Sequence, residues 1–468
     1  MVWCRVAGLT CLLLSAVAAG GADGGLRFML GSCNKVDKPN PFWAVALQNV
    51  PDAWIWMGDS VYADIKRPLY SLPWNYYKAH QSPMGVETTM FEPTSMERLK
   101  GMYDKQRDVP GYKELREQTR ILGTYDDHDY GHNDADARFV DKAESKRLFW
   151  DFLGESASSP LRTQQGVWSN HTFSAGNGKT VMVIMLDGRY HKTAYPTWPV
   201  RLRSFDPASD FLGEEQWEWL LDTLAGSDAD AHLIVSGIQI IPELRWMGEN
   251  WSRFPLARQR LLNTLLSSGA KEIVLASGDV HFGEISVAKC RRGNEERQLI
   301  ELTTSGLTHA WSTGPRGVEI LDWTMWALPF RYQTGSAVLP SITPHLNAGE
   351  IAWSWPTGGG DGEATLNILD KAGAPLFTHR VPLSRPAQEE RSGGGGGTHW
   401  DCAPGGRDSE KGAPTQMEVL LANLLLLSPL FLLPLLAFLP PLLLWNARRL
   451  VRRLTLARRA AKPRDKAL

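Results

Sequence analysis

Residues 54–62 read WIWMGDSVY. Trp54–Met57 is a short apolar run of the kind that forms a strand buried on both faces. Gly58 permits a tight exit from that strand. Asp59 and, three residues later, Tyr62 are then delivered to one place. Taken alone, a Gly-Asp after a strand is commonly a turn or a helix cap. The stretch decides the fold because it is repeated in kind along the chain.

Leu26–Leu30 runs into Gly31-Ser32-Cys33-Asn34. Gln118–Thr124 runs into Tyr125-Asp126-Asp127-His128-Asp129, His232–Ser236 into Gly237-Ile238-Gln239, and Glu272–Ala276 into Ser277-Gly278-Asp279-Val280-His281. A ligand-type side chain thus follows each of these strands. A further apolar run, Thr180–Leu186, and helical spacing in Glu214–Leu224 and Arg258–Leu266 complete an alternation of strand and helix, which predicts an α/β domain with much parallel pairing. Ala352–Trp355, Thr365–Leu369 and Pro375–Val381 read as antiparallel strands closing the domain. In an open parallel sheet the carboxyl ends of the strands share one edge, where ligands bind. Cys33, Asp59, Tyr62, the cluster 126–129, Gln239, Asp279 and His281 are therefore expected to converge. Carboxylates gathered in that number repel one another unless a multivalent cation joins them, so convergence implies metal.

GSC, GDSVY, DDHD and SGDVH, in this order, resemble the alkaline-phosphatase-D-like branch of the calcineurin-type metallophosphatases. The segments Leu186–Arg189, Leu212–Trp217 and Ser305–Trp311 match as well, and the likeness extends from Arg27 to Leu383. The resemblance implies a four-layer αββα sandwich and a phosphoric ester hydrolase that works by metal-activated hydroxide attack, on a phosphomonoester in the first instance. It implies Cys33, Asp59, Tyr62, Asp127, Gln239, Asp279 and His281 as metal ligands, with Asp59 bridging. His128 is implied as the contact to phosphate or the leaving group, and Asp126, Arg189 and His309 are further catalytic candidates, with a buried salt bridge near Asp187 an equally open reading of Arg189. The wider superfamily begins its ligand set with Asp-x-His and has a mid-chain histidine; here Cys33 and Gln239 stand in those places. A thiolate and a phenolate suit ferric ion, and extra carboxylates with an amide suit calcium, so Fe3+ with Ca2+ is favoured over Zn2+ or Mn2+. The branch usually has tryptophan where this chain has Tyr125, a change expected to alter packing beneath the metals.

The ends of the 468-residue chain read differently from its middle. Residues 1–22 combine an early Arg5, a short apolar stretch and small residues, the pattern of a secretory signal peptide. Residues 23–385 form the metallophosphatase domain, and 386–417, with five consecutive glycines at 393–397, form a flexible linker. The segment 418–445, uncharged from Val419 to Trp445, is long enough to span a bilayer as a single transmembrane helix. The tail 446–468 has nine Lys/Arg against one Asp, a net of +8. With the whole chain at −1, residues 1–445 carry −9. The pattern predicts a type I membrane protein with its catalytic domain lumenal or extracellular, and a basic cytoplasmic tail against anionic lipids. Nothing in the charge suggests nucleic acid. Asn170-His171-Thr172 and Asn250-Trp251-Ser252 are potential glycosylation triplets. Cys33, Cys290 and Cys402 remain after signal cleavage, and the latter two could pair. Two other readings share the sequence: a membrane-tethered phosphodiesterase or phospholipase D-type activity on a small-molecule or lipid phosphoester, and a catalytically silent binding ectodomain.

Overall fold

The computed structural model describes residues 24–68, 71, 74, 90–195, 206–242, 248–321, 342–356, 360–383 and 399–404. Among them no helix is long and apolar enough to cross a membrane. The expected signal peptide, transmembrane helix, basic tail and most of the linker lie outside the described residues.

Two mixed sheets stack face to face. The six-stranded one runs, in spatial order, Pro375–Leu383, Gly362–Leu369, Ala348–Ser354, Leu26–Gly31, Ala53–Met57 and Arg120–Thr124. Its last three strands are mutually parallel and the first three antiparallel, as the sequence suggested for the closing segment. The eight-stranded sheet has a parallel centre of Thr180–Met185, Ala231–Ser236, Ile273–Ser277 and Glu295–Thr304. It continues antiparallel into Gly283–Arg292 on one side and Ser169–Ser174 on the other. The strand ends that carry the ligand-type residues thus lie on two sheets, as in the αββα sandwich that the resemblance implies. The ligand-bearing strands divide three and two between them, and their ends meet across the gap.

Alternation along each strand explains the layers. Ile55 and Met57 face inward with Phe28, Leu30, Val183, Leu233, Val235 and Leu302, making the apolar slab between the sheets. Trp54 and Trp56 point the other way, onto Phe42–Gln48, Met96–Arg107, Tyr112–Gln118 and Lys142–Leu153. The Trp43 ring lies 4.8 Å from Trp54 and 5.7 Å from Trp56. On the far side Ile184, Ile234 and Leu275 pack on Glu214–Ala225 and Pro255–Ser267. The result is helix, sheet, sheet, helix. WIWM is wholly buried because it is sandwiched twice, which fixes its register against one-residue slips.

The sequence passed over two ten-residue strands, Gly283–Arg292 and Glu295–Thr304. Their charged residues hide the β pattern, since Glu284 and Glu301 are fully buried in the sheet. Glu301 is satisfied there by the backbone N–H groups of Ile240 and Ile241, at 2.9 and 2.7 Å.

Residues 399–404 depart from the expected linker. Asp401–Pro404 pairs antiparallel with Gly283–Arg292, Cys402 lies opposite Cys290, and the two form a disulfide. Trp400 is 1% exposed and donates its indole N–H to Ser267 Oγ at 3.2 Å. Arg292 and Arg297 cover its ring, at 4.6 and 5.5 Å. The bond closes a separation of 112 residues. Cys402→Ser is expected to lower unfolding free energy by about 2–4 kcal/mol. Denaturant titration without reductant checks this, and wild type with reductant should show the same loss.

Candidate metal centre

The backbone prepares the site by strained exits from its strands. Gly58 has φ +81°, and a Cβ there would meet Asp126 Cβ at 2.3 Å, so only glycine lets the GDS and DDHD loops touch. A Cβ on Gly278 would meet Ser32 Oγ at 2.4 Å and the Met57 carbonyl at 2.6 Å. The side chains beyond these turns pay in conformation: Cys33, Asp59, Asp134, Asp279 and His281 hold φ of 59°, 49°, 59°, 74° and 60°. Left-handed backbone at non-glycine residues costs about 1–3 kcal/mol each and collects at functional sites. Asp129 ties two loops together, accepting from Ser60 N (3.0 Å), Ser60 Oγ (2.7 Å) and Asp126 N (2.6 Å).

The carboxylates converge as expected. Asp59, Asp127 and His128 present ligand atoms all within 4.8 Å of one another, and so do Asp126, Asp127 and Asp279, and Asp127, Asp134 and Glu249. Asp127 belongs to all three groups. Tyr62 OH donates to Asp59 Oδ2 at 2.9 Å, and Cys33 Sγ lies 3.5 Å from the same oxygen. Ser305 Oγ is 2.9 Å from Cys33 Sγ and accepts from His281 N at 2.7 Å, joining the first and last motifs.

Protonation reports the strain of bringing these groups together without counter-charge. Burial first, and then neighbouring acids, push Asp59 and Asp279 well above the usual carboxylate range. Burial also pushes Asp126 up, against the pull of Arg189. The Cys33 thiol is pushed up to about 11, mainly by burial. Asp127 goes the other way: burial opposes ionisation, but His128, Arg189 and the N–H groups of Asp134 and His128 hold it below the usual range. The donor set fits multivalent cations. Asp59 Oδ1, Asp126 Oδ2, Gln239 Oε1 and His281 Nδ1 are buried with no hydrogen-bond partner among the described residues, a cost of about 1–3 kcal/mol apiece that ligation would remove.

Three candidates change role. Arg189, expected near phosphate, is fully buried and committed: it meets Asp126 Oδ1 at 2.6 Å and Glu249 Oε2 at 2.6 Å. It braces the carboxylates from below and is not a substrate contact. Asp126 is held by that ion pair and is one of three acids whose oxygens are placed to hold a cation. His309 stands at the rim, its ring 4.2 Å from His281 and 5.7 Å from Tyr62. Burial, with the charges of Lys35 and His128, pushes it down to about 4, so it is neutral and offers no cation. Gln239 spends its amide N–H groups on Glu284 Oε2 (2.9 Å) and Thr303 Oγ1 (3.0 Å), which leaves the oxygen as its donor atom. His281 lies at the rim, 6.5 Å from the Tyr62 ring, outside the three tight groups. Tyr125 is fully buried and donates to Asp187 Oδ2 at 2.6 Å.

Several site residues escaped the sequence reading. Asp64 accepts from the His128 imidazole at 2.7 Å and from Asn133 N at 2.9 Å. With Asp127 it raises His128 to about 10, against the effect of burial. Its only sequence signal is its place two residues beyond Tyr62. Asp134 and Glu249 carry no motif. The matching segments around 187 and 216 prove to be one device: Gln216 clamps both Asp187 N and Asp187 O, at 2.8 and 2.9 Å, and Asp187 holds Arg189 N at 2.8 Å.

Facing sheet ends that gather buried carboxylates with a thiol, a phenol and imidazoles are the frame of a metal-dependent phosphoester hydrolase. Residues 28–320 match the PhoD-like phosphatase family, well over half of the chain. The protein belongs to that family and is a phosphoric ester hydrolase. A solved structure titled Structure of PhoD superposes with a TM-score of 0.52 at 16% identity, covering 77% of this chain and 69% of that one. That likeness shows the fold alone. No curated protein sequence matches the chain.

Proposed function

We propose that the protein is a phosphomonoesterase of the secretory pathway, with Fe3+ and Ca2+ as its cations. The observation that carries the activity is the sharing of Asp127 among three ligand groups beneath a rim of Tyr62, His128, His281 and His309. Cys33, Asp59 and Tyr62 would hold the ferric ion, and Asp126, Asp127 and Asp279 the harder one. When bound, the cations neutralise phosphoryl oxygens and supply a nucleophilic hydroxide at neutral pH.

The protein's own groups do the rest. His128 is held by Asp64, which with Asp127 favours its protonated form, and its ring sits tilted 4.2 Å from that of Tyr62, so it can give a proton to the departing alkoxide. Asp64 positions it. Asp64→Asn is expected to lower kcat about 10–100-fold with metal content unchanged, which elemental analysis and steady-state kinetics together check.

The rival reading is a diesterase or phospholipase on the same centre. Comparing kcat/KM of the full-length chain on paired mono- and diesters decides: a preference for the diester sinks the phosphomonoesterase reading. Elemental analysis showing neither iron nor calcium sinks the metal assignment.

The apolar and basic segments at the chain ends, and the Cys290–Cys402 bond, support a membrane-tethered lumenal or extracellular location. The two glycosylation triplets are unequal. Asn170 is exposed on the edge strand Ser169–Ser174, whereas Asn250 is fully buried and its Oδ1 accepts from Ser252 Oγ at 2.7 Å. A single glycan at Asn170 is proposed; Asn170→Gln removing none of the glycosidase-sensitive mass would refute it.

A further inference from the structure

With Arg189 committed elsewhere, the site needs another cation for the substrate's phosphoryl group. Lys192 is no alternative: its ammonium is fully buried, 2.9 Å from Glu249 Oε1. Lys35 is different. It follows Cys33 by two residues, is partly exposed, and its Nζ sits 5.0 Å from the centre of the Tyr62 ring. That ring's hydroxyl donates to Asp59, and its face lies against His128. Among the described residues no carboxylate forms an ion pair with Lys35, although it stands near enough for its charge to act on Cys33 and Asp59.

The mount beneath it is rigid. Lys35 N donates to Thr308 Oγ1 at 2.6 Å, and Asn34 N donates to the Asp59 carbonyl at 2.9 Å. The Asn34 side chain is tied to Ser60 O at 3.0 Å and Gln106 Oε1 at 2.7 Å. The backbone of Asn34 and Lys35 is thereby locked to the GDS loop on one side and to the segment 305–311 on the other. The ammonium, which among the described residues has a weak cation–π contact and no ion pair, can swing to an anion at little cost.

We propose that Lys35 contacts a non-bridging phosphoryl oxygen of the substrate from the rim of the metal centre. This rests on the phosphoesterase reading above. A charge-assisted hydrogen bond of this kind is worth about 10- to 100-fold in affinity. The Tyr62 ring parks the ammonium beside the centre, and the approach of the phosphoester draws it across.

The test uses the metal-loaded full-length chain with inorganic phosphate as the probe. Lys35→Ala is expected to weaken inhibition by phosphate and to lower kcat/KM on a phosphomonoester, each about 10- to 100-fold. Metal content should not change, and Lys35→Arg should recover most of the loss. Phosphate inhibition that is unchanged in Lys35→Ala overturns the assignment. So does loss of metal in both variants alike, which would make Lys35 a support for the Cys33 turn. If the wild type hydrolyses no phosphoester, the functional reading itself fails; calorimetric titration of phosphate into wild type and Lys35→Ala then still decides whether Lys35 binds the anion.

Discussion

Asp59→Asn should lower kcat by about 10³-fold or more while making the metal-free protein more stable at neutral pH. The two effects have one cause. Burial first, and then the neighbouring Cys33, Asp127, Asp126 and Asp129, lift the Asp59 carboxyl well above the ordinary range in the absence of a cation. A carboxyl with a raised folded-state pKa binds more protons in the folded than in the unfolded state. Stability is therefore lost as pH rises from about 4, the unfolded value, through the folded one. Asparagine has the same shape, still accepts from Tyr62 OH, and removes the charge. The chelated wild type should thus lose thermal stability as pH rises from 4 to 8, and chelated Asp59→Asn should lose less. Adding cation should restore the wild type and do little for the variant. Melting temperatures at several pH values, with and without chelator, check the first claim; activity on a phosphomonoester checks the second. Retained turnover, or a variant that binds as much metal as wild type, would remove Asp59 from the centre.

His128→Asn should cost about 10²–10⁴-fold in kcat on an alkyl phosphate and far less on an aryl phosphate with a good leaving group. A group that only gives a proton to the leaving oxygen matters in proportion to that oxygen's basicity. The charge on His128 is set by carboxylates: Asp127 and Asp64 raise it to about 10 in spite of burial. Because His128 also belongs to a ligand group with Asp59 and Asp127, the comparison has a second arm. Equal losses on both substrates, accompanied by a fall in metal content, would make His128 a ligand and not the acid.

Much of the centre was legible beforehand because strands announce themselves locally. An apolar run followed at once by a ligand-type side chain needs no partner to be recognised, and five such exits pointed to Cys33, Asp59, Tyr62, the cluster 126–129, Gln239, Asp279 and His281. Asp64, Asp134 and Glu249 were silent because a solvated loop and a buried ion pair look alike in one dimension. Arg189 was open between a phosphate contact and a buried salt bridge near Asp187, and its ion pairs are buried. Its proximity to Asp187 was visible, but its actual partners, Asp126 and Glu249, lie 63 and 60 positions away in the numbering. Glu284 and Glu301 were missed as strand residues because burial of a charge is decided by what the neighbouring strand donates.

Local pattern alone determined where the strands end, which chemistry follows each of them, and that so many acids could not meet without a cation. Those are properties of covalent geometry and of charge, and they travel with the residues. The pairing of two sheets, the turning of Arg189 inward and Lys35 outward, and the choice of Asp64 to hold His128 belong to the folded state. Each depends on which groups lose water together, and only the packing of distant segments decides that.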